Sequence, residues 1–253
     1  MGRLDDRVGI VTGAAQSIGR EYALGTAAEG ANVVVADIID PSPVVAEIEA
    51  AGGKALGVTV DVTSAESTRA MAAAALERFG HIDFLVNNAA LYGALKVKSW
   101  LDIDVEEWDR VMAVNLRGMF LSCKAVVPAM AERGSGKIIN ISSGTALTGV
   151  PGMLHYVTSK AGVIGLTRAL AREVGGLGIN VNTITPGVIM SEGTAHLMEN
   201  SGLPMMDPLI AAKCLQREQT AKDLVGAVIY LASADSDFVT AQTLNVDGGW
   251  MTI

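Results

Sequence analysis

Cysteine, histidine and aromatic side chains are scarce in this sequence of 253 residues. The 2 cysteines, Cys123 and Cys214, show no pairing pattern and no metal-ligand spacing. That excludes a disulfide scaffold and points to reduced thiols in a cytoplasmic protein. His81, His155 and His196 are scattered, so no metal site is expected. Aromatics are only 4% of residues against 28 glycines, a balance suited to many tight turns between strands and helices. Repeats, low-complexity tracts and linkers are absent, and the length suits one α/β domain spanning 1–253. A strand begins within ten residues and Asp5 and Asp6 precede it, so no signal peptide is expected. Nor is an apolar run long enough to span a bilayer expected. The net charge of −8 argues against nucleic acid or an anionic membrane as partner.

What is present is alternation. Buried-strand patterns at Val8–Thr12, Asn32–Asp37, Ala55–Val60, Ile82–Val86, Lys137–Ser142 and Ile179–Ile184 are separated by helical patterns. Pro41–Ala51, Ser64–Phe79 and Thr220–Ala232 read as helices, with Gly52 and Gly80 as stops and Ser64 as an N-cap. Val105–Arg133 reads as a long helical region that Pro128 should distort or divide. Strands alternating with helices imply a doubly wound α/β domain, a parallel sheet with helices on both faces.

The first strand runs into Thr12-Gly13-Ala-Ala-Gln-Ser17-Ile18-Gly19 and then a helix to about Glu29. Strand, glycine turn and helix N-terminus form an anion site, because free N–H groups and the helix dipole face a pyrophosphate. Gly13 makes the tight turn and Gly19 allows close packing. Asp37 ends the second strand, where a carboxylate accepts hydrogen bonds from ribose hydroxyls and repels a 2′-phosphate. No basic residue flanks it in Gln16-Ser17 or Ile38, which points to NAD over NADP.

Tyr156 and Lys160 lie four residues apart, on one face of a helix that continues to Val174. An ammonium beside a phenol favours the phenolate and draws its pKa toward working pH. Ser143 follows the fifth strand, placed to hydrogen-bond a substrate oxygen. Leu147, Met153, Met190, Leu197, Met205, Met206 and Trp100 suggest an apolar pocket, with Tyr92 on its rim. The irregular, methionine-rich stretch inside 191–219 reads as a lid over an apolar substrate.

In that order, these motifs resemble the short-chain dehydrogenase/reductase family from about Leu4 to Trp250. The resemblance implies a Rossmann-type sheet of seven strands in the order 3-2-1-4-5-6-7, with Gln242–Asp247 as the seventh. It implies catalysis by Ser143, Tyr156 and Lys160, with Lys160 lowering the Tyr156 pKa and bonding the nicotinamide ribose. Asn115 would hold a water that links Lys160 to solvent. Around the cofactor it implies Gly13, Gln16, Ser17 and Ile18 at the phosphates and Asp37 with Ile38 at the ribose. Asp61 and Val62 would line the adenine pocket, and Asn88, Ala89 and Ala90 the sheet edge. Pro186, Gly187, Val188 and Ile189 would pass the nicotinamide, and Ser191 would hold its carboxamide. Two positions depart from the family: Ser17 replaces a glycine of the turn, and Ala90 replaces the glycine that ends Asn-Asn-Ala-Gly.

The implied activity is NAD-dependent hydride transfer between a small apolar secondary alcohol, benzylic or cyclic included, and its ketone, in a homotetramer. Three other readings stay open. Asp37 and the acidic balance oppose a reductase of 3-oxoacyl groups on a carrier protein. A dehydrogenase of primary aromatic alcohols is the second. The third is a non-catalytic dinucleotide-binding regulator, against which Tyr156 and Lys160 both speak.

Overall fold

In the computed structural model, residues 2–191, 193–195, 197 and 206–251 are described. Met205, Thr252 and Ile253 therefore lie outside the described residues. Seven strands form one sheet in the order β3-β2-β1-β4-β5-β6-β7. They are β1 Val8–Thr12, β2 Asn32–Asp37, β3 Lys54–Thr59, β4 Phe84–Asn87, β5 Gly136–Ile141, β6 Ile179–Pro186 and β7 Thr243–Val246. Every pairing is parallel.

Side chains alternate along a strand, and that period assigns the two faces of the sheet. Ile10, Val34, Leu85 and Ile138 point to one face, where Met71, Val126 and Ala171 cover them. These come from α3 Ala65–Phe79, α5 Gly118–Arg133 and α7 Leu154–Val174. Val11, Val35, Val86 and Ile139 point to the other face, covered by Tyr22, Ile48 and Val228. Those belong to α1 Ser17–Ala28, α2 Ser42–Ala50 and α9 Lys222–Ala232. Both faces are buried, so the strands read as unbroken apolar runs. At Gly9 a β-carbon would stand 1.9 Å from the Phe84 ring, so only glycine lets β1 and β4 pair there.

The long helical region breaks elsewhere than expected. Helix α4, Val105–Met112, passes into a π-helical turn, Ala113–Arg117, and then into α5. The irregularity surrounds Asn115, and α5 continues through Pro128. Pro128 sits on the exposed side, where the carbonyl it leaves unpaired reaches water. By length and composition the run Val105–Arg133 is apolar enough to cross a membrane, contrary to the expectation that no such run exists. Its buried side instead packs on α3, α7 and the sheet.

A 3-10 turn, Trp100–Asp102, leads into α4. The short helix α6, Thr145–Thr148, lies at the C-terminal ends of the strands, and α8, Met206–Ala211, falls inside the stretch read as a lid. In a parallel sheet that edge is where loops gather and ligands bind.

Candidate active site

The strand ends open onto a cavity of about 700 Å³. At one end lies the turn between β1 and α1. Gly13 has φ +66, and a β-carbon there would come 2.8 Å from the Ala89 backbone. The Asn88 amide braces the turn, its Nδ2 donating to the carbonyls of Thr12 (3.1 Å) and Gly13 (3.0 Å). Thr12 Oγ1 accepts from the N–H groups of Asn88 and Ala89. Ser17 carries φ +53, so it adopts the left-handed geometry that the family's glycine takes without strain. No side chain caps α1, whose first N–H groups stay available to an anion.

Asp37 is buried at the end of β2. Its Oδ2 accepts from the Ala15 N–H at 2.9 Å and its Oδ1 from Ile38 at 2.7 Å, which ties the second strand to the glycine turn. Asp61 accepts from the N–H and hydroxyl of Thr63 and lines the same end beside Val62.

At the other end stand Ser143, Tyr156 and Lys160. Ser143 Oγ accepts from Thr145 Oγ1 at 2.9 Å, and the serine stands close enough to the Tyr156 phenol to oppose the rise in its pKa. Lys160 Nζ donates to the Ile141 carbonyl at 2.8 Å and lies 5.9 Å from the Tyr156 ring centre. Burial holds the Lys160 ammonium down to about 8. Burial also pushes the Tyr156 phenol well above its ordinary value, with Tyr92 adding to the rise and Ser143 opposing it. In the protein alone desolvation of the phenol dominates, and the ammonium is spent on a carbonyl.

Asn115 is fully buried but does not line the cavity. Its Oδ1 accepts from the Leu91 N–H at 2.7 Å, and its Nδ2 donates to the Leu91 carbonyl and to Ser159 Oγ. Ser159 in turn donates to the Tyr156 carbonyl at 2.7 Å. The amide thus splints the loop after β4 to the helix of Tyr156, and all its side-chain bonds run to protein. Every other residue expected at the cofactor or in catalysis borders the one cavity. Ile38, Ala90, Pro186, Gly187, Val188, Ile189 and Ser191 are among them, and the Ser191 hydroxyl also meets Thr194 Oγ1 at 3.1 Å.

The substrate end differs from expectation. Trp100 is 65% exposed on its 3-10 turn and is not part of the wall. Met190 is 41% exposed, and Leu147 does not border the cavity. Met153 and Leu197 do pack beside Tyr156. The wall is made by Leu91, Tyr92, Ala94 and Trp250. The Tyr92 ring lies 5.1 Å from that of Tyr156. Trp250 faces the cavity because the Asp247-Gly-Gly turn folds it back toward Gly144. No local sequence signal marks it; the glycine pair before it is the nearest hint.

A cradle that a β-carbon would fill, an uncapped helix N-terminus and an acid at the second strand end fit a dinucleotide. A buried phenol, hydroxyl and ammonium meet at its far end. Fold and site together define an oxidoreductase of the nicotinamide-dinucleotide class. Residues 13–251 match a family described as enoyl-(acyl carrier protein) reductase. An uncharacterized oxidoreductase of Mycobacterium tuberculosis is 43% identical, covering 97% of each chain. Galactitol 2-dehydrogenase of Agrobacterium fabrum is 40% identical over 99% of this chain and 100% of its own. A solved structure from Sinorhizobium meliloti, described as a short-chain alcohol dehydrogenase, superposes with a TM-score of 0.91 at 32% identity, covering 98% and 97%. The chain belongs to the short-chain dehydrogenase/reductase family.

Proposed function

We propose that this protein is an NAD-dependent dehydrogenase that interconverts a neutral, largely apolar secondary alcohol, benzylic or cyclic included, and its ketone. The observation that carries this reading is the single cavity with Asp37 and the glycine turn at one end and Ser143, Tyr156 and Lys160 at the other. When bound, the nicotinamide supplies the hydride acceptor or donor. Gly13, the α1 N-terminus and Asp37 would hold the dinucleotide, and Ser191 would hold its carboxamide.

Ser143 orients the substrate oxygen. Tyr156 gives it a proton in reduction and takes one in oxidation. The raised phenol pKa keeps Tyr156 protonated at neutral pH, which suits reduction there and oxidation at alkaline pH. Lys160 stabilises the phenolate once it leaves the Ile141 carbonyl. Asn115 holds the Tyr156 helix and the loop after β4 in register.

The wall of Leu91, Tyr92, Ala94 and Trp250 brings no charged side chain to the substrate, which supports a neutral ligand. The stretch 191–219 would close over it as a lid. The family description favours a second reading, a reductase of carrier-bound acyl groups. The acidic balance of the chain opposes it, because an acidic carrier needs a basic docking face. A homotetramer is supported by exposed apolar Val105 and Phe120 on the α4–α5 side and checked by light scattering. A cytoplasmic location is supported by the two unpaired cysteines.

A panel of neutral secondary, benzylic and primary alcohols, sugars and 3-oxoacyl thioesters, each with NAD or NADH, tests the assignment. Turnover of the secondary alcohols or their ketones supports it, and turnover confined to the thioesters or to charged sugars defeats it.

A further inference from the structure

A second group of ionisable side chains lies outside the cavity, beneath its substrate end. His155 immediately precedes Tyr156 and is completely buried. Its Nε2 lies 2.9 Å from Glu107 Oε1. The other Glu107 oxygen takes the Lys98 ammonium. Three elements meet in this chain of groups: α7, which carries Tyr156; α4, which carries Glu107; and the loop 91–101, which carries Tyr92 and Lys98.

Each member is fixed by something else. Asp104 caps α4 and accepts from the Glu107 N–H at 2.7 Å, so the carboxylate starts from a rigid turn. The Lys98 N–H donates to the Gly152 carbonyl at 3.0 Å, which pins the loop at the entrance to α7. No side chain caps α7 itself. Its first turn is tied to α4 through His155 and Glu107 instead.

The proton inventory is one-sided. Nε2–H donates to Glu107, while His155 Nδ1 is buried with no partner. A bare acceptor costs less there than a buried N–H would, so the ring needs only its one donor. Burial raises the Glu107 carboxyl, but Lys98 and His155 together bring it below its ordinary value, so the carboxylate stays charged as their shared acceptor. A buried imidazole against a partly buried ion pair is an expensive way to fill space that an aliphatic side chain would fill.

We infer that His155, through Glu107 and Lys98, is the positioning residue of the substrate end: it sets the rim loop 91–101, and with it Tyr92, against Tyr156. It touches neither substrate nor cofactor. The inference rests on the proposed reading for what the rim binds, but not for whether His155 holds the rim.

The test compares His155→Leu, His155→Gln and Lys98→Met with the unmodified protein. Amide hydrogen exchange across 91–101 is read against exchange across 13–19. His155→Leu should speed exchange in the rim at least about tenfold and leave the glycine turn unchanged. His155→Gln should restore protection, because its amide supplies the one donor that is used. Lys98→Met should loosen the rim without touching α7. In kinetics with acetophenone and NADH, His155→Leu should raise KM for the ketone at least about tenfold, with KM for NADH changed less than about twofold.

Unchanged rim exchange in His155→Leu, or equal damage from leucine and glutamine, overturns the inference. If His155→Leu is too unstable to purify, Lys98→Met decides by the same exchange contrast. Acetophenone inert to the unmodified protein while the contrast holds would count against the benzylic part of the substrate assignment and leave the positioning role standing.

Discussion

Exchanging Asp37 for serine and Ile38 for arginine should turn the cofactor preference from NAD toward NADP. The carboxylate of Asp37 is held by the N–H groups of Ala15 and Ile38 and borders the cavity. Held that way, it can accept from two ribose hydroxyls, each such charge-assisted bond contributing about 1.5–3 kcal/mol. A 2′-phosphate brings nearly two negative charges to the same spot, and no lysine or arginine borders the cavity nearby. Each ~1.4 kcal/mol is a factor of ten, so the unmodified protein should prefer NAD by two or more powers of ten in kcat/KM. Ile38 is 67% exposed, so an arginine there needs no repacking and faces the phosphate directly. The exchange also removes the acceptor of the Ala15 N–H, a loss of about 1–2 kcal/mol, or roughly 2–8 °C in Tm for a chain of this length. The assay is kcat/KM for both cofactors with one good alcohol, beside a thermal melt. Equal efficiencies in the unmodified protein would mean that Asp37 does not meet the ribose. A double variant that kept its preference would show that charge at this strand end is not what discriminates.

Two further outcomes follow from backbone strain and burial. Ser17→Gly removes a left-handed serine worth about 1 kcal/mol but adds unfolded-chain freedom of similar size. Its melting temperature and NADH affinity should therefore stay close to those of the parent, whereas Ser17→Val should melt about 2–4 °C lower or more. A valine variant as stable as the parent would show that the turn tolerates any residue. Lys160→Met should abolish turnover yet raise stability at neutral pH. The folded-state pKa of Lys160, about 8, lies below the unfolded value of about 10.4, so the native state binds fewer protons between the two. Stability of the parent therefore rises with pH across that window as the buried ammonium is neutralised. The advantage of Lys160→Met should shrink from pH 7 to pH 10 in melts followed by circular dichroism. An advantage that grew with pH would refute the assigned direction.

Much of the fold was legible because a parallel sheet buried on both faces leaves unbroken apolar strands, and those strands alternate with helical periods. Their order in the sheet came from the family resemblance, because crossover handedness alone allows more than one order. That the glycine turn, Asp37 and Asn88 meet at one cavity was equally legible, since they are local signals at strand ends. The π turn at Asn115 was not, because its cause is tertiary: an amide bonded to Leu91 and Ser159, far away in sequence. Pro128 misled because a proline's effect depends on which way its missing N–H faces, and here that is solvent. Trp250 lines the cavity where Trp100 was expected, for a related reason. Which indole faces the cavity depends on how two distant loops fold back, and composition does not record that. The pKa of Tyr156 also depends on how deeply the phenol is buried, which its spacing to Lys160 does not record.

The claim that matters most is that Tyr156 moves the proton that accompanies hydride transfer. Its direct measurement is NADH formation from NAD and a neutral secondary alcohol at alkaline pH, in the unmodified protein and in Tyr156→Phe, with the NADH dissociation constant measured alongside. The phenylalanine variant should bind NADH as the parent does and turn over ~10²–10⁴-fold more slowly. Near-full turnover by Tyr156→Phe would contradict the assignment.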